Sequence, residues 1–302
     1  MPARHVTDGG LETDLIFLRG IDLPAFASFP LLDSEDGRAV LRDYYLAYAD
    51  IAVRAGAPLL LETPTWRANA DHAAALGYDA ADLDRVNRWS VEFLAQVAAE
   101  RAVDLVAWEV GGMLGPRGDG YASAGPVDPD AAADYHRPQL ASFAAAGVSR
   151  ATVLTLTEVG EAVGVSRAAA EVGLRAGIGF TVETGGRLPD GTSLADAVRA
   201  VDEVAPPAYF LINCAHPRHV LQDFGEGAWR ERIGGLRVNA STMSHAELDA
   251  SETLDDGDPV QLAADQAPIV EALANLEVLG GCCGTDARHV AAMWGVGPGR
   301  LS

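Results

Sequence analysis

The chain has 302 residues, 49% of them hydrophobic and 22% charged, which is enough to bury a sizeable core and unlike a disordered tail or a coiled coil. Forty-three acidic residues against 22 basic ones leave a formal net charge of -21, which repels phosphate backbones and argues against nucleic acid and anionic membranes as partners. All the basic residues in that count are arginines, so mechanisms that need a Schiff-base lysine or a phosphate-loop lysine are excluded too.

Short apolar runs alternate with longer stretches of helical period along the whole chain, the pattern of parallel strands joined by crossover helices. In chain order the expected strands are His5 to Thr7, Leu59 to Thr63, Leu105 to Val110, Arg150 to Thr155, Ile178 to Val182, Tyr209 to Asn213, Leu236 to Ala240 and Glu277 to Gly280. The expected helices between them run over Arg38 to Ala55, Asp82 to Arg101, Asp130 to Ala146, Glu161 to Ala176, Leu194 to Val204 and Pro259 to Leu276. Eight βα units predict an α/β fold, a single-domain (β/α)8 TIM barrel over residues 1–302. An open doubly wound sheet is the competing architecture, and the first strand lacks the Gly-x-Gly-x-x-Gly turn that would support it. The Gly/Pro-rich stretch Gly111 to Pro129 is longer than an ordinary βα loop, as functional loops at a barrel mouth often are. The N-terminus reaches Asp8 before any apolar signal core, and no run of about 18 apolar residues follows, so neither export nor a membrane span is expected.

Barrel chemistry gathers where the strands end. The predicted strands run into Asp8, Glu62 and Thr63, Glu109, Thr155 and Thr157, Glu183, Asn213 and Cys214, Asn239, and Cys282 and Cys283. All three cysteines therefore fall on one face. Three is an odd number for a disulfide framework and suits a reducing, cytoplasmic setting. Cys282 and Cys283 are neighbours set among glycines, and Cα atoms about 3.8 Å apart lie too close for an ordinary disulfide. Metal ligation uses such a pair better: three thiolates plus an open position describe a catalytic zinc site. A thiol substrate filling that position would lose its proton below its ordinary pKa of about 8.5. Buried cysteines can also be plain core, and His216 and His219, which follow Cys214, read more simply as decoration of the next helix than as ligands.

With these residues in place the chain resembles the homocysteine S-methyltransferases, zinc-dependent (β/α)8 enzymes. The resemblance spans Asp8-Gly9-Gly10, Glu62-Thr63-Pro64-Thr65, Gly112 to Pro116, Glu161-Ala162, Asp190-Gly191-Thr192, Ile212-Asn213-Cys214 and Gly280-Gly281-Cys282-Cys283-Gly284. It implies that Cys214, Cys282 and Cys283 are the catalytic zinc ligands, that Asp8, Gly9, Gly10, Thr63 and Thr157 sit at the substrate, and that Asn213 orients the site. It implies transfer of a methyl group from a small onium donor, S-methylmethionine or S-adenosylmethionine, to a thiol, L-homocysteine, giving methionine. The partners would be small molecules, with a homo-oligomer open. The family commonly carries a glutamate for the substrate ammonium group before Glu161-Ala162, and here Thr157 aligns with it. Glu12, Glu109, Glu158 and Glu183 are the acids that could compensate. Trp66, Trp108 and Tyr121 are aromatic faces available to a cationic donor. The alternatives are a metal-dependent barrel lyase or hydrolase, and a zinc-holding relative without activity.

Overall fold

The structure, a computed structural model, describes residues 4–297. Eight parallel strands close on themselves in chain order: β1 (His5–Val6), β2 (Leu59–Glu62), β3 (Trp108–Leu114), β4 (Arg150–Leu156), β5 (Arg175–Phe180), β6 (Tyr209–Asn213), β7 (Ile233–Val238) and β8 (Val278–Gly281). Pairing of His5 with Val278 and Val6 with Leu279 closes the ring. The barrel expected from the alternation of apolar runs and helical periods is the fold observed.

Around it lie α1 (Glu35–Ala55), α2 (Ala80–Ala99), α3 (Pro129–Ala145), α4 (Val159–Glu171), α5 (Leu194–Val204), α6 (Pro217–Val220), α7 (Pro259–Ala272) and α8 (Ala287–Met293). Local sequence sets their ends. Ser34 caps α1 by accepting from Gly37 N, and Gly56 stops the helix at φ 59. Among the described residues no helix is long and apolar enough to cross a membrane.

Two apolar clusters hold the layers together. The larger lies between strands and helices, and the smaller, Trp66, Met113, Leu154, Tyr209 and Leu211, fills part of the barrel interior. At about 1.5–3 kcal/mol for each large apolar side chain fully buried, these clusters dominate the favourable side of folding.

β3, β5 and β7 start earlier or later than expected, and in β3 and β7 the difference includes glycines packed against large side chains. The run from Leu105 was read as β3, yet the strand begins at Trp108 and continues through Gly111 and Gly112 to Leu114. A Cβ on Gly112 would stand 2.4 Å from the Phe143 ring of α3, so the strand needs a residue that looks like a loop former. In β7 a Cβ on Gly235 would stand 2.4 Å from Leu211 inside the barrel, and the strand starts at Ile233 instead of Leu236. α4 ends at Glu171, not Ala176, because β5 has already begun at Arg175. The corrected bounds also move two residues. Trp108 and Glu109 open β3 at the amino end of the barrel, where Ser149 Oγ donates to Glu109 Oε1 at 2.8 Å. Both are on the face opposite the cysteines.

Candidate active site

Cys214 follows β6, Cys282 and Cys283 follow β8, and β7 lies between them. Regular strands would scatter the three side chains, and the backbone departs from regularity at each. Cys214 takes the left-handed conformation at φ 52 while its N–H donates to Arg237 O at 2.9 Å. Cys282 N donates to Val238 O at 2.8 Å, and Ala240 N donates to Cys283 O at 3.1 Å. A Cβ on Gly281 would stand 1.9 Å from Thr285 Oγ1, so only glycine lets the chain fold back here. The three sulfurs end within 4.8 Å of one another as free thiols. Hydrogen bonds from the Cys214 and Cys283 thiols, with the nearby Arg237 charge, hold Cys282 well below the ordinary thiol range. Cys214 and Cys283, acting as donors and buried, are pushed up.

The hydroxyl of Tyr121, from the loop after β3, stands 3.4 Å from Cys214 Sγ and 3.2 Å from Cys283 Sγ. Its ring packs on His245, centroids 4.4 Å apart. His245 in turn bridges Glu183 Oε1 at 2.6 Å and the Cys214 carbonyl oxygen at 3.0 Å. Asn213 Oδ1 accepts from Thr155 N at 3.1 Å, tying the end of β6 to β4.

A small cavity of about 40 Å³ opens beside Cys282 and Cys283, bordered by Asp8, Gly9, Gly10, Glu12, Phe26, Trp66, Met113, Leu154, Thr155 and Arg237. A second, of about 310 Å³, lies beyond it toward the barrel mouth, with Arg67, Asp119, Asp249 and Asp255 in its wall. Thr13, Phe26, Trp66, Tyr121 and Cys283 border both, so they partition an inner chamber from an outer one.

The floor of the inner chamber is ionic. Arg237 of β7, 2% exposed, donates from Nη2 to Asp8 Oδ1 at 2.5 Å and to Gly9 O at 3.2 Å, from Nε to Gly281 O at 2.9 Å, and from Nη1 to Glu62 Oε2. Tyr44 of α1 donates to Asp8 Oδ2 at 3.2 Å. Burial still pushes Asp8 up to about 6 despite the Arg237 charge. Glu12 is pushed up to about 7 by burial, against the pull of the Ser28 hydroxyl, which donates to Oε1 at 2.7 Å. Arg237 gave no signal in sequence beyond a charged residue inside an apolar strand, which is itself a pointer because an unpaired buried arginine is too costly to keep.

The other expected residues fall elsewhere. Thr63 is buried with its hydroxyl 2.6 Å from Thr65 Oγ1 and accepting from Met113 N at 2.8 Å, so it fastens β2 to β3 and does not line the chamber. Thr157 is buried and does not line it either. A register shift between Val153 and Leu156, with Thr155 at φ 61, breaks the alternation and presents Leu154 and Thr155 to the cavity. Glu158 caps α4, accepting from Gly160 N at 2.8 Å and Glu161 N at 2.5 Å. His216 caps α6 by accepting from Arg218 N at 3.1 Å, and His219 bonds Thr242 O at 3.0 Å, so neither histidine reaches the sulfurs.

A closed (β/α)8 barrel with three converging cysteine sulfurs under a two-chambered opening at the carboxyl face defines a class of barrel enzymes built on a thiolate centre. Within that class the chain belongs to the homocysteine S-methyltransferase family, whose model matches residues 5–295, and it is a methyltransferase. It is similar to the homocysteine methyltransferase MmuM from Escherichia coli: the metallated form is 25% identical with a TM-score of 0.73, over 97% of this chain and 96% of that one. The oxidised form is 24% identical with a TM-score of 0.74, over 96% and 94% of the two chains. No curated protein matches the chain significantly by sequence.

Proposed function

We propose that this protein is a zinc-dependent S-methyltransferase that passes a methyl group from a small onium donor, S-methylmethionine or S-adenosylmethionine, to a thiol, with L-homocysteine as acceptor and methionine as product. It would do so as one barrel domain in the cytoplasm. The observation that carries the reading is the convergence of Cys214, Cys282 and Cys283 beside an enclosed chamber.

The donor set fits zinc. A tetrahedral site with Zn–S near 2.3 Å needs sulfurs about 3.8 Å apart, inside the 4.8 Å limit of this cluster. Cys214, Cys282 and Cys283 would hold the ion, which when bound supplies the Lewis acidity that brings an incoming thiol to its thiolate at neutral pH. The remaining work falls to the chain. Asp8, with Gly9 and Gly10, borders the end of the inner chamber where the rest of the acceptor would lie. Arg237 fixes Asp8, and the π faces of Trp66, Phe26 and Tyr121 would shield the reacting sulfur from water and receive a cationic donor from the outer chamber. In the transfer a sulfur lone pair forms the new S–C bond as the donor's C–heteroatom bond breaks in line. The donor leaves neutral, and the thiol proton passes to solvent. Holding both partners across the partition supplies the alignment.

Two measurements on the purified protein test this reading: its metal content, and the products formed from homocysteine and other thiols with several onium donors, scored by mass spectrometry. The expected result is zinc near one equivalent and a methylated thiol. Zinc-loaded protein that methylates no thiol with any donor would refute it.

A further inference from the structure

Of the two carboxylates bordering the inner chamber, Asp8 and Glu12, the first is already spent. Asp8 accepts from Arg237 and from Tyr44, and Glu62, behind it, accepts from the same guanidinium. The β4 wall offers only Leu154 and the hydroxyl of Thr155, which receives the Trp66 indole N–H at 3.2 Å. Glu109, Glu158 and Glu183 are engaged elsewhere, by Ser149, by the α4 amides and by His245. That leaves Glu12. It borders the chamber that holds Cys282 and Cys283, its Oε1 is fixed by Ser28, and no cation is among the groups that act on it most strongly. Arg67, in the outer wall, lies over the Trp66 face at 4.3 Å and bonds His72; Glu12 acts on its charge from a distance, with no hydrogen bond between them. A carboxylate kept in a largely apolar enclosure without a directly bonded cation is costly, and the cost is recovered when a ligand brings one.

We propose that Glu12 is the specificity-determining residue of this site: its free carboxylate oxygen receives the positive charge of a substrate, the ammonium group of an aminothiol acceptor. The assignment rests on the S-methyltransferase reading. Glu12 follows the Asp8-Gly9-Gly10 segment by two residues, in the short helical turn Leu11–Thr13, and borders the inner chamber, so an ammonium group there would share it with the thiol. The same chemistry could come from the positive centre of the donor reaching through the partition, and the acceptor and donor arms of the test separate the two.

The test compares zinc-loaded wild type with Glu12→Gln, which keeps size and removes charge, and Glu12→Asp, which keeps charge and shortens its reach. Direct binding of L-homocysteine and of its analogue lacking the amino group is measured by calorimetry without any donor, followed by steady-state kinetics in both substrates. Loss of a charge-assisted contact of about 1.5–3 kcal/mol predicts a 10- to 150-fold weaker Kd for homocysteine in Glu12→Gln, little change for the amino-free thiol, and a smaller loss in Glu12→Asp. A rise in donor KM alone, with homocysteine binding intact, would keep the cation role and assign it to the donor. Unchanged homocysteine affinity and unchanged donor KM in a folded Glu12→Gln protein would overturn the proposal. Wild-type protein that binds neither thiol would instead sink the methyltransferase reading, a different result from wild-type binding that Glu12→Gln does not alter.

Discussion

Replacing Arg237 by methionine probes the ionic floor on which the inner chamber rests. The substitution preserves much of the volume and removes the one cation between Asp8 and Glu62, whose side chains are 1% and 0% exposed. Breaking a buried ion cluster by deleting one partner costs about 3–5 kcal/mol, because the remaining charges stay uncompensated. For a chain of 302 residues, an unfolding entropy of about 2.1 cal/mol/K per residue amounts to about 0.6 kcal/mol/K, so about 4 kcal/mol lowers Tm by about 6 °C. The assay is thermal unfolding of metal-free protein across pH. In the parent, Asp8 already titrates near 6 against an ordinary 3.8, and losing Arg237 raises it further. A carboxylate whose folded pKa lies above its unfolded value destabilises the fold above the folded pKa and ceases to do so below the unfolded one. The Tm deficit of Arg237→Met is therefore largest at pH 8 and shrinks on acidification toward pH 4. Converting Asp8 to Asn and Glu62 to Gln in the same chain recovers much of the deficit at pH 8. A variant that melts within about 1 °C of the parent at pH 8, or whose deficit grows on acidification, would refute the argument.

Cys282→Ser removes one of the three converging sulfurs; metal analysis after gel filtration is expected to show substoichiometric zinc and the product assay no turnover, and full activity in metal-free Cys282→Ser protein would contradict a metal role. Gly112→Ala drives a methyl into the Phe143 ring and is expected to cost about 1–3 kcal/mol in urea unfolding, much of it recovered in the Gly112→Ala, Phe143→Leu double variant. Asp286 caps α8, accepting from Arg288 N at 2.8 Å, and hydrogen bonds and charge from His289 and Arg288 outweigh burial and hold its carboxyl well below the usual 3.8. Its folded pKa is depressed, so the stability it adds is present above pH 3.8 and lost as pH falls below that; Asp286→Ala is expected to cost about 1–2 kcal/mol at pH 7, with the gap to wild type closing in strong acid.

How far the sequence spoke depended on whether side chains or backbone irregularities carried the information. The barrel was legible because eight apolar runs separated by helical periods leave few other ways to cover both faces of a parallel sheet. Cys214, Cys282 and Cys283 were legible because each falls at a strand end. The pieces that were not legible share a physical reason: they depend on what a residue packs against. Gly111 and Gly112 read as loop and proved to be strand, with the Arg150 side chain close against the one and the Phe143 ring filling the space where a side chain on the other would be. Thr157 read as a substrate position and gave way to Leu154 and Thr155, since a bulge reset the alternation that the reading assumed. Thr63, at a strand end like the cysteines, turned its hydroxyl sideways to the neighbouring strand. Arg237 was passed over because only the closed ring brings β7 beside Asp8 and Glu62.

The aromatic partition also fixes the traffic. With the donor in the outer chamber, as proposed above, a thiol that settles beside Cys282 would first cross the space the donor later occupies, and a donor already seated there would bar its way. On the proposed reading the acceptor would enter first and the donor second, and the demethylated donor would depart before the new thioether could escape. Steady-state kinetics in both substrates would then show a compulsory order, set by the five residues that stand between two rooms.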